Sequence, residues 1–236
     1  MSMVAPGKVV ALSIRRAGSA APVAVDRMRL VAGVGAEGDR HADPLSPRQL
    51  LLAGTDAYAR FALAPHALRE NLLLDIDATG LASGTVLRVG PQALVRVMFV
   101  CEACGQLDRY AERLAARIGP QRGMLARVLH GGDVRVGDPV RVLGVTLDAW
   151  PEDWRERVER VLGAVPGGSV VSYAQLAHLA GIQTSYCRAF PRLLRGLGPD
   201  SAARAVTARD RAATPRWDGA GLFDPTPLQQ SALDGE

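Results

Sequence analysis

An α+β chain of two units is what the sequence predicts: a β-barrel-like N-terminal unit over 1–147 and a small helical unit over 148–236. Two observations carry this. Residues 8 to about 146 divide into short alternating apolar runs separated by Gly, Pro and Asp, the pattern of a curled sheet or barrel. Near residue 147 the periodicity changes to that of short amphipathic helices. The length of 236 residues, 48% hydrophobic and 22% charged, is enough for two modest cores and far from the composition of disordered chains.

The strands read in order are VVALSIRR from Val9, TVLRVG from Thr85, ALVRVMFV from Ala93 and DVRVGDPVRVL from Asp133. One helix is expected among them, because Leu107, Ala111, Leu114, Ala115 and Ile118 fall on one helical face directly after Cys104. In the second unit Trp154, Val158, Val161, Leu162 and Val165 form a helical stripe, with Pro151 suited to its first turn. Ser172 and Gln175 then stand at capping-box spacing and Gly181 supplies a stop. A third helical stretch over 184–196 completes the pattern of a helix-turn-helix. The Pro-interrupted tail DPTPLQQSALDGE is expected to be irregular.

The net charge of +4 is too mild to announce a nucleic-acid partner. Its distribution says more, since the window 188–216 holds seven arginines against Asp200 and Asp210. The first residues lack the pattern of a secretion signal, and no apolar run approaches the ~18 residues of a membrane span. A cytoplasmic protein with no membrane partner is therefore expected. Cys101, Cys104 and Cys187 are too few for a disulfide scaffold.

Cys101 and Cys104 occur as CEAC between an apolar strand and the expected helix, where unpaired amides favour a thiolate. A structural zinc site would need two further ligands, of which His130 is the nearest downstream candidate. A thioredoxin-like dithiol would need a βαβ setting, and two buried small hydrophobes would need no chemistry at all.

The ordered segments GAEGDRHAD, RQLLL, LRENLLL, ASGTVLRVG, VCEACGQL and QRGMLARVLHGGDVRVGDPVRVL resemble the MOSC domain, named after the C-terminal domain of molybdenum cofactor sulfurases, over roughly 8–143. The resemblance implies a barrel-like fold holding molybdenum cofactor (molybdopterin), with Cys104 as the catalytic thiolate and the protein ligand to the metal. Arg48, Arg69, Asn71 and Arg122 lie in matching segments and are the candidates for the anionic cofactor, Asn71 first among them. Asp39 and His41 are read as capping a turn. The reaction implied is reduction of N-hydroxylated or damaged base-type substrates. Without an iron–sulfur cysteine motif or a GxGxxG after a strand, the electrons are expected from a separate donor protein.

The stretch VPGGSVVSYAQLAHLAGIQTSYCRAFPRLLRGL resembles the DNA-binding half of the O6-alkylguanine-DNA alkyltransferases and their alkyltransferase-like relatives, over about 152–210. That resemblance implies a winged helix-turn-helix binding duplex DNA with modified bases. Tyr173 would press on a phosphate, Arg188 would fill the space of a flipped nucleotide, and Arg204 would match the arginine of the acceptor motif. The acceptor cysteine is missing, because SAARAV places Ala202 and Ala203 at the cysteine and histidine positions. No active alkyltransferase is expected, and Cys187 precedes Arg188 and does not replace the nucleophile. Pro191 should break the recognition helix, and Leu197 stands where those relatives have asparagine. Two alternatives stay open: a non-catalytic sensor of alkylated DNA, or a carrier of cofactor or sulfur.

Overall fold

A computed structural model describes residues 6–19, 21–210 and 214–234. The chain divides into two compact units. One holds the chain up to Pro44, Arg48–Trp150 and the stretch from Pro227 onward; the other holds Leu45–Pro47 and Pro151–Thr226.

Among the described residues the first unit has eleven strands: β1 (Gly7–Ile14), β2 (Val23–Val25), β3 (Arg27–Val31), β4 (Gly35–Ala36), β5 (Leu50–Gly54), β6 (Leu72–Leu74), β7 (Thr85–Val89), β8 (Ala93–Val100), β9 (Met124–His130), β10 (Gly132–Arg135) and β11 (Pro139–Thr146). Seven of them hydrogen-bond in the order β11-β7-β8-β9-β5-β6-β1, and pairing of β11 with β1 closes the barrel. Closure leaves these strands without an open edge, the main hazard of an exposed sheet. β5 and β6 are the parallel pair in the barrel, which demands a crossover between them; the loop of that crossover, 62–71, becomes part of the site. β2 lies beside β1, while β10, β3 and β4 form a smaller sheet.

Alternation along the strands sorts side chains between two faces. Leu87, Val89, Val95 and Val97 enter the barrel core with Leu50 and Leu72. Their outward neighbours Val86 and Leu94 pack instead with Leu147 and Leu233. Leu233 belongs to a helix in the tail, Pro227–Asp234, where an irregular end was expected. The apolar outer face of β7 and β8 supplies the cause, because a helix placing Leu233 against Val86, Leu94 and Leu147 removes apolar surface from water. Leu233→Ala should therefore lower stability by about 2 kcal/mol, read as a shifted urea midpoint at unchanged slope.

The expected helix after Cys104 is broken. Gly105–Arg109 and Gly119–Arg122 are 3-10 turns, and only Leu114–Arg117 is α-helical. Arg113 adopts a left-handed φ of +50°, and Asp108 Oδ1 accepts the Ala115 amide at 2.8 Å, taking a hydrogen bond that a continuous helix would have made internally. The expected face still holds: Leu107, Leu114 and Ile118 are buried against Ala53 and Ala57, and cover the outside of β5.

In the second unit a helix runs Trp154–Ala164, capped by Asp153 and not opened by Pro151. Val158, Val161, Leu162 and Val165 are buried as their spacing requires. Ser172 caps the helix Tyr173–Leu179 by accepting the Gln175 amide at 3.1 Å, while the Gln175 side chain turns to the carbonyl of Asp218. Half of the capping box is thus formed. Thr184–Ala189 is a 3-10 segment, and Pro191 opens the helix Phe190–Leu197. A wing made of an antiparallel hairpin is not found among the described residues of this unit. Val171–Ser172 pairs instead with Ala205–Val206 in parallel.

Candidate functional site

The candidate site gathers residues beside strand ends: Arg15 after β1, Asn71 before β6, Cys101 and Cys104 after β8, and Arg122 before β9. Arg122 is followed by Gly123, whose φ is +104° and whose missing Cβ would lie 2.2 Å from the Leu52 carbonyl. Only glycine lets the chain approach β5 this closely. The Gly123 carbonyl also accepts the Cys101 amide at 2.9 Å, tying the two chain segments together.

Asn71 is fully buried and every position on its amide is used by the protein. Oδ1 accepts from Arg15 Nη2 at 2.7 Å and from the Leu51 amide at 3.0 Å. Nδ2 donates to Asp39 Oδ2 at 2.7 Å and to the Ser13 carbonyl at 3.2 Å. Expected as a cofactor donor, Asn71 has no hydrogen-bonding position left for a ligand. Its side chain joins β1, β5 and the loop containing Asp39.

Asp39 also accepts the Arg15 amide at 2.9 Å, and Arg15 Nε stands 3.4 Å away. Burial pushes this carboxyl up, but the His41 hydrogen bond, the Arg15 charge and two backbone amides outweigh burial and hold it well below the usual carboxylate range. Its folded value lies below its unfolded value, so it adds stability above about pH 4 that is lost as the pH falls through that region and below.

The crossover loop carries left-handed backbone at Ala62, His66 and Arg69, with φ of +48°, +60° and +56°. Tyr58 pins it by accepting the Leu68 amide at 3.2 Å and donating to Glu70 Oε2 at 2.7 Å. Glu70 Oε1 has no hydrogen-bond partner, and the equally orphaned His66 Nδ1 lies 3.6 Å away. Burial pushes the Glu70 carboxyl above its ordinary range, although Tyr58 opposes the shift. Such a group stabilises the fold at low pH and loses that contribution as pH rises through its folded value. Glu70→Gln should accordingly leave the protein at least as stable at neutral pH, with a gain of up to about 1 kcal/mol and a flatter acid branch in thermal melts.

Arg69 is half-buried and donates to Gln106 Oε1 at 3.1 Å, joining the crossover loop to the segment that carries Cys104. Cys104 itself is exposed, whereas Cys101 is buried. The thiol of Cys104 precedes a single 3-10 turn and not the long helix expected from the sequence, so no helix dipole acts on it. Arg122 is buried and donates to the Leu68 carbonyl, while its Nε has no acceptor. Arg48 is half-buried, two residues before β5. Among the described residues no group of three or more His, Cys, Asp or Glu stands ready to hold a metal ion. No helix among them is long and apolar enough to cross a membrane.

Sequence reasoning did not single out Arg15, Tyr58 or Glu70. Arg15 directly follows an apolar strand, a position where a guanidinium is ordinarily exposed, and Glu70 looks like any surface acid in LRENLLL.

In the second unit Tyr173 packs edge-on against Phe190, ring centroids 5.4 Å apart. Cys187 faces inward with Sγ 3.4 Å from the Tyr173 carbonyl, and burial raises its thiol. Arg188 is exposed. Arg204, expected at a DNA contact, donates to the Leu162 carbonyl at 3.0 Å, in the last turn of the helix Trp154–Ala164. Ala202 and Ala203 end the helix Pro199–Ala203, with no thiol in that segment.

No curated protein matches the chain. Among solved structures, the YuaD protein from Bacillus subtilis is similar at 19% identity and a TM-score of 0.52, covering 58% of this chain and 96% of its own. A protein described only as hypothetical is similar at 22% identity and a TM-score of 0.52, covering 83% of this chain and 92% of its own. YiiM from Escherichia coli aligns at 21% identity over 79% of this chain and 93% of its own, with a TM-score of 0.45. At these identities the first two likenesses speak for the fold alone. Residues 47–141 match the family model of the MOSC domain, a span that contains Arg48, Arg69, Asn71, Cys104 and Arg122.

Proposed function

We propose that the first unit binds molybdenum cofactor and reduces N-hydroxylated or damaged base-type substrates, with electrons delivered by a separate donor protein. The observation that supports this reading is the exposed Cys104 thiol inside the matched MOSC span, with Arg69 held against the same segment through Gln106. A thiolate is the soft donor that suits a thiophilic metal, and guanidinium groups suit a phosphate tail. The unpartnered Nε of buried Arg122 is a donor that an anionic oxygen would satisfy. These residues fit the group: Cys104 would hold the metal, and Arg69 and Arg122 the anionic portion, with Arg48 a further candidate. When bound, the cofactor supplies two-electron chemistry at molybdenum. Cleaving an N–O bond consumes those two electrons and two protons and releases water. The protein's part is to hold the thiol outside the core while the Asn71 network keeps the flanking strands and the crossover loop in place.

Protein purified from a host with intact cofactor synthesis should contain close to one molybdenum per chain and yield a fluorescent pterin on oxidation. Absence of both would reject the reading.

A second reading is favoured by one feature of the other unit. Arg188, Arg192 and Arg195 are all exposed along one segment, and none is in an ion pair among the described residues. This supports an alkyltransferase-like role in binding duplex DNA with modified bases, and as a sensor without alkyl transfer. Arg188→Ala should then abolish any preference for duplexes containing O6-alkylguanine. Equal binding of lesion and plain duplexes by the unsubstituted protein would exclude it.

A further inference from the structure

His41 takes no part in the reading above, and Asp39 enters it only through the Asn71 network. Asp39 caps the expected turn, since its Oδ1 accepts the His41 amide at 2.8 Å. Its side chain is nonetheless buried to 0% exposure, a larger outlay than a surface turn requires. Oδ2 is held by Arg15 and Asn71, and Oδ1 lies 3.2 Å from His41 Nδ1. An ionised carboxylate only accepts hydrogen bonds, so Nδ1 must carry the imidazole hydrogen and Nε2 is left with a lone pair. The His41 side chain is 35% exposed, and Nε2 has no partner among the described residues. Arg15 joins the pair to Asn71, whose Oδ1 accepts from Arg15 Nη2 at 2.7 Å, and Asn71 lies within the matched span.

We propose that His41 Nε2 is a substrate-binding acceptor that receives an N–H or O–H hydrogen of an N-hydroxylated base, with Asp39 as the positioning residue that sets its tautomer. This rests on the reductase reading for the class of ligand, and on the hydrogen-bond geometry alone for the role of the imidazole. The charged groups around His41 are Asp39, Arg15 and Arg40. The Asp39 hydrogen bond favours the imidazolium, but burial and the charges of Arg15 and Arg40 prevail and hold His41 below its ordinary range. The acceptor is therefore present at neutral pH and is lost as the pH falls through that lowered value, when Nε2 becomes a donor.

The test uses the purified full chain with its cofactor and 6-hydroxylaminopurine as probe, followed by calorimetric titration. His41→Ala should weaken binding about tenfold, with the urea midpoint nearly unchanged. His41→Gln, which offers a carbonyl acceptor, should restore much of the binding and abolish its loss at acid pH. Nitrogen-15 NMR should find the hydrogen on Nδ1 in the unsubstituted protein and a changed tautomer in Asp39→Asn. During turnover the His41→Ala defect should fall mainly on KM. Unaltered binding by His41→Ala, a hydrogen on Nε2, or no binding by the unsubstituted protein would each overturn the proposal. If the protein holds no molybdenum the cofactor reading fails separately, while tautomer and probe binding still decide the role of His41.

Discussion

Asn71→Ala is expected to cost about 3 kcal/mol or more, because several buried hydrogen bonds are lost together. Four groups lose a partner at once: Arg15 Nη2, the Leu51 amide, Asp39 Oδ2 and the Ser13 carbonyl. Each buried polar group left unpaired costs about 1–3 kcal/mol by itself, and here two of them belong to ions. The loss should appear as a large drop in urea midpoint at unchanged slope. A drop below about 1 kcal/mol would show that water replaces the amide, and that Asn71 is no keystone of the barrel. Asp39 should behave alike, since its folded value lies well below the usual range. The stability difference between Asp39→Asn and the unsubstituted protein should shrink as pH falls below about 4.

Cys104→Ala is expected to remove nearly all molybdenum from the purified protein while leaving its melting curve in place. The contrast between the two cysteines makes the experiment decisive. Cys104 is exposed and its removal opens no cavity, whereas Cys101 is buried at 4% exposure and its replacement by alanine should cost about 1 kcal/mol. Metal analysis and urea melts on both variants should therefore separate cleanly: metal lost and stability kept for Cys104, metal kept and stability reduced for Cys101. Full metal content in Cys104→Ala would remove the ligand assignment.

Much of the fold was legible because burial imposes period two on strands and a near-four spacing on helices. ALVRVMFV coincides with β8, and DVRVGDPVRVL covers most of β10, the turn after it and the first five residues of β11. The same reasoning fails where a local competitor intervenes. The stripe from Leu107 to Ile118 identifies the buried face, but it could not show that Asp108 would take the Ala115 amide and split the helix. Nor could the tail announce its helix, since the partners of Leu233 lie far away in sequence at Val86, Leu94 and Leu147.

The site divides in the same manner. Cys104 and the arginines could be named from residue chemistry and from segments in a recognisable order. Asn71 was named too, yet its amide is spent wholly on protein groups. Arg15 and Glu70 were not named, and Asp39 was read only as a turn cap.

The sequence by itself determined four of the barrel strands, β1, β7, β8 and β11, the buried helix faces and the exposed thiol's chemical class, because these depend on periodicity and on residue type within a few positions. Only the tertiary structure decided which polar side chains satisfy one another. Ser13, Arg15, Asp39 and Asn71 meet across separations of up to 58 residues, and a buried hydrogen bond is set by where closure of the barrel brings donor and acceptor, which no local pattern encodes.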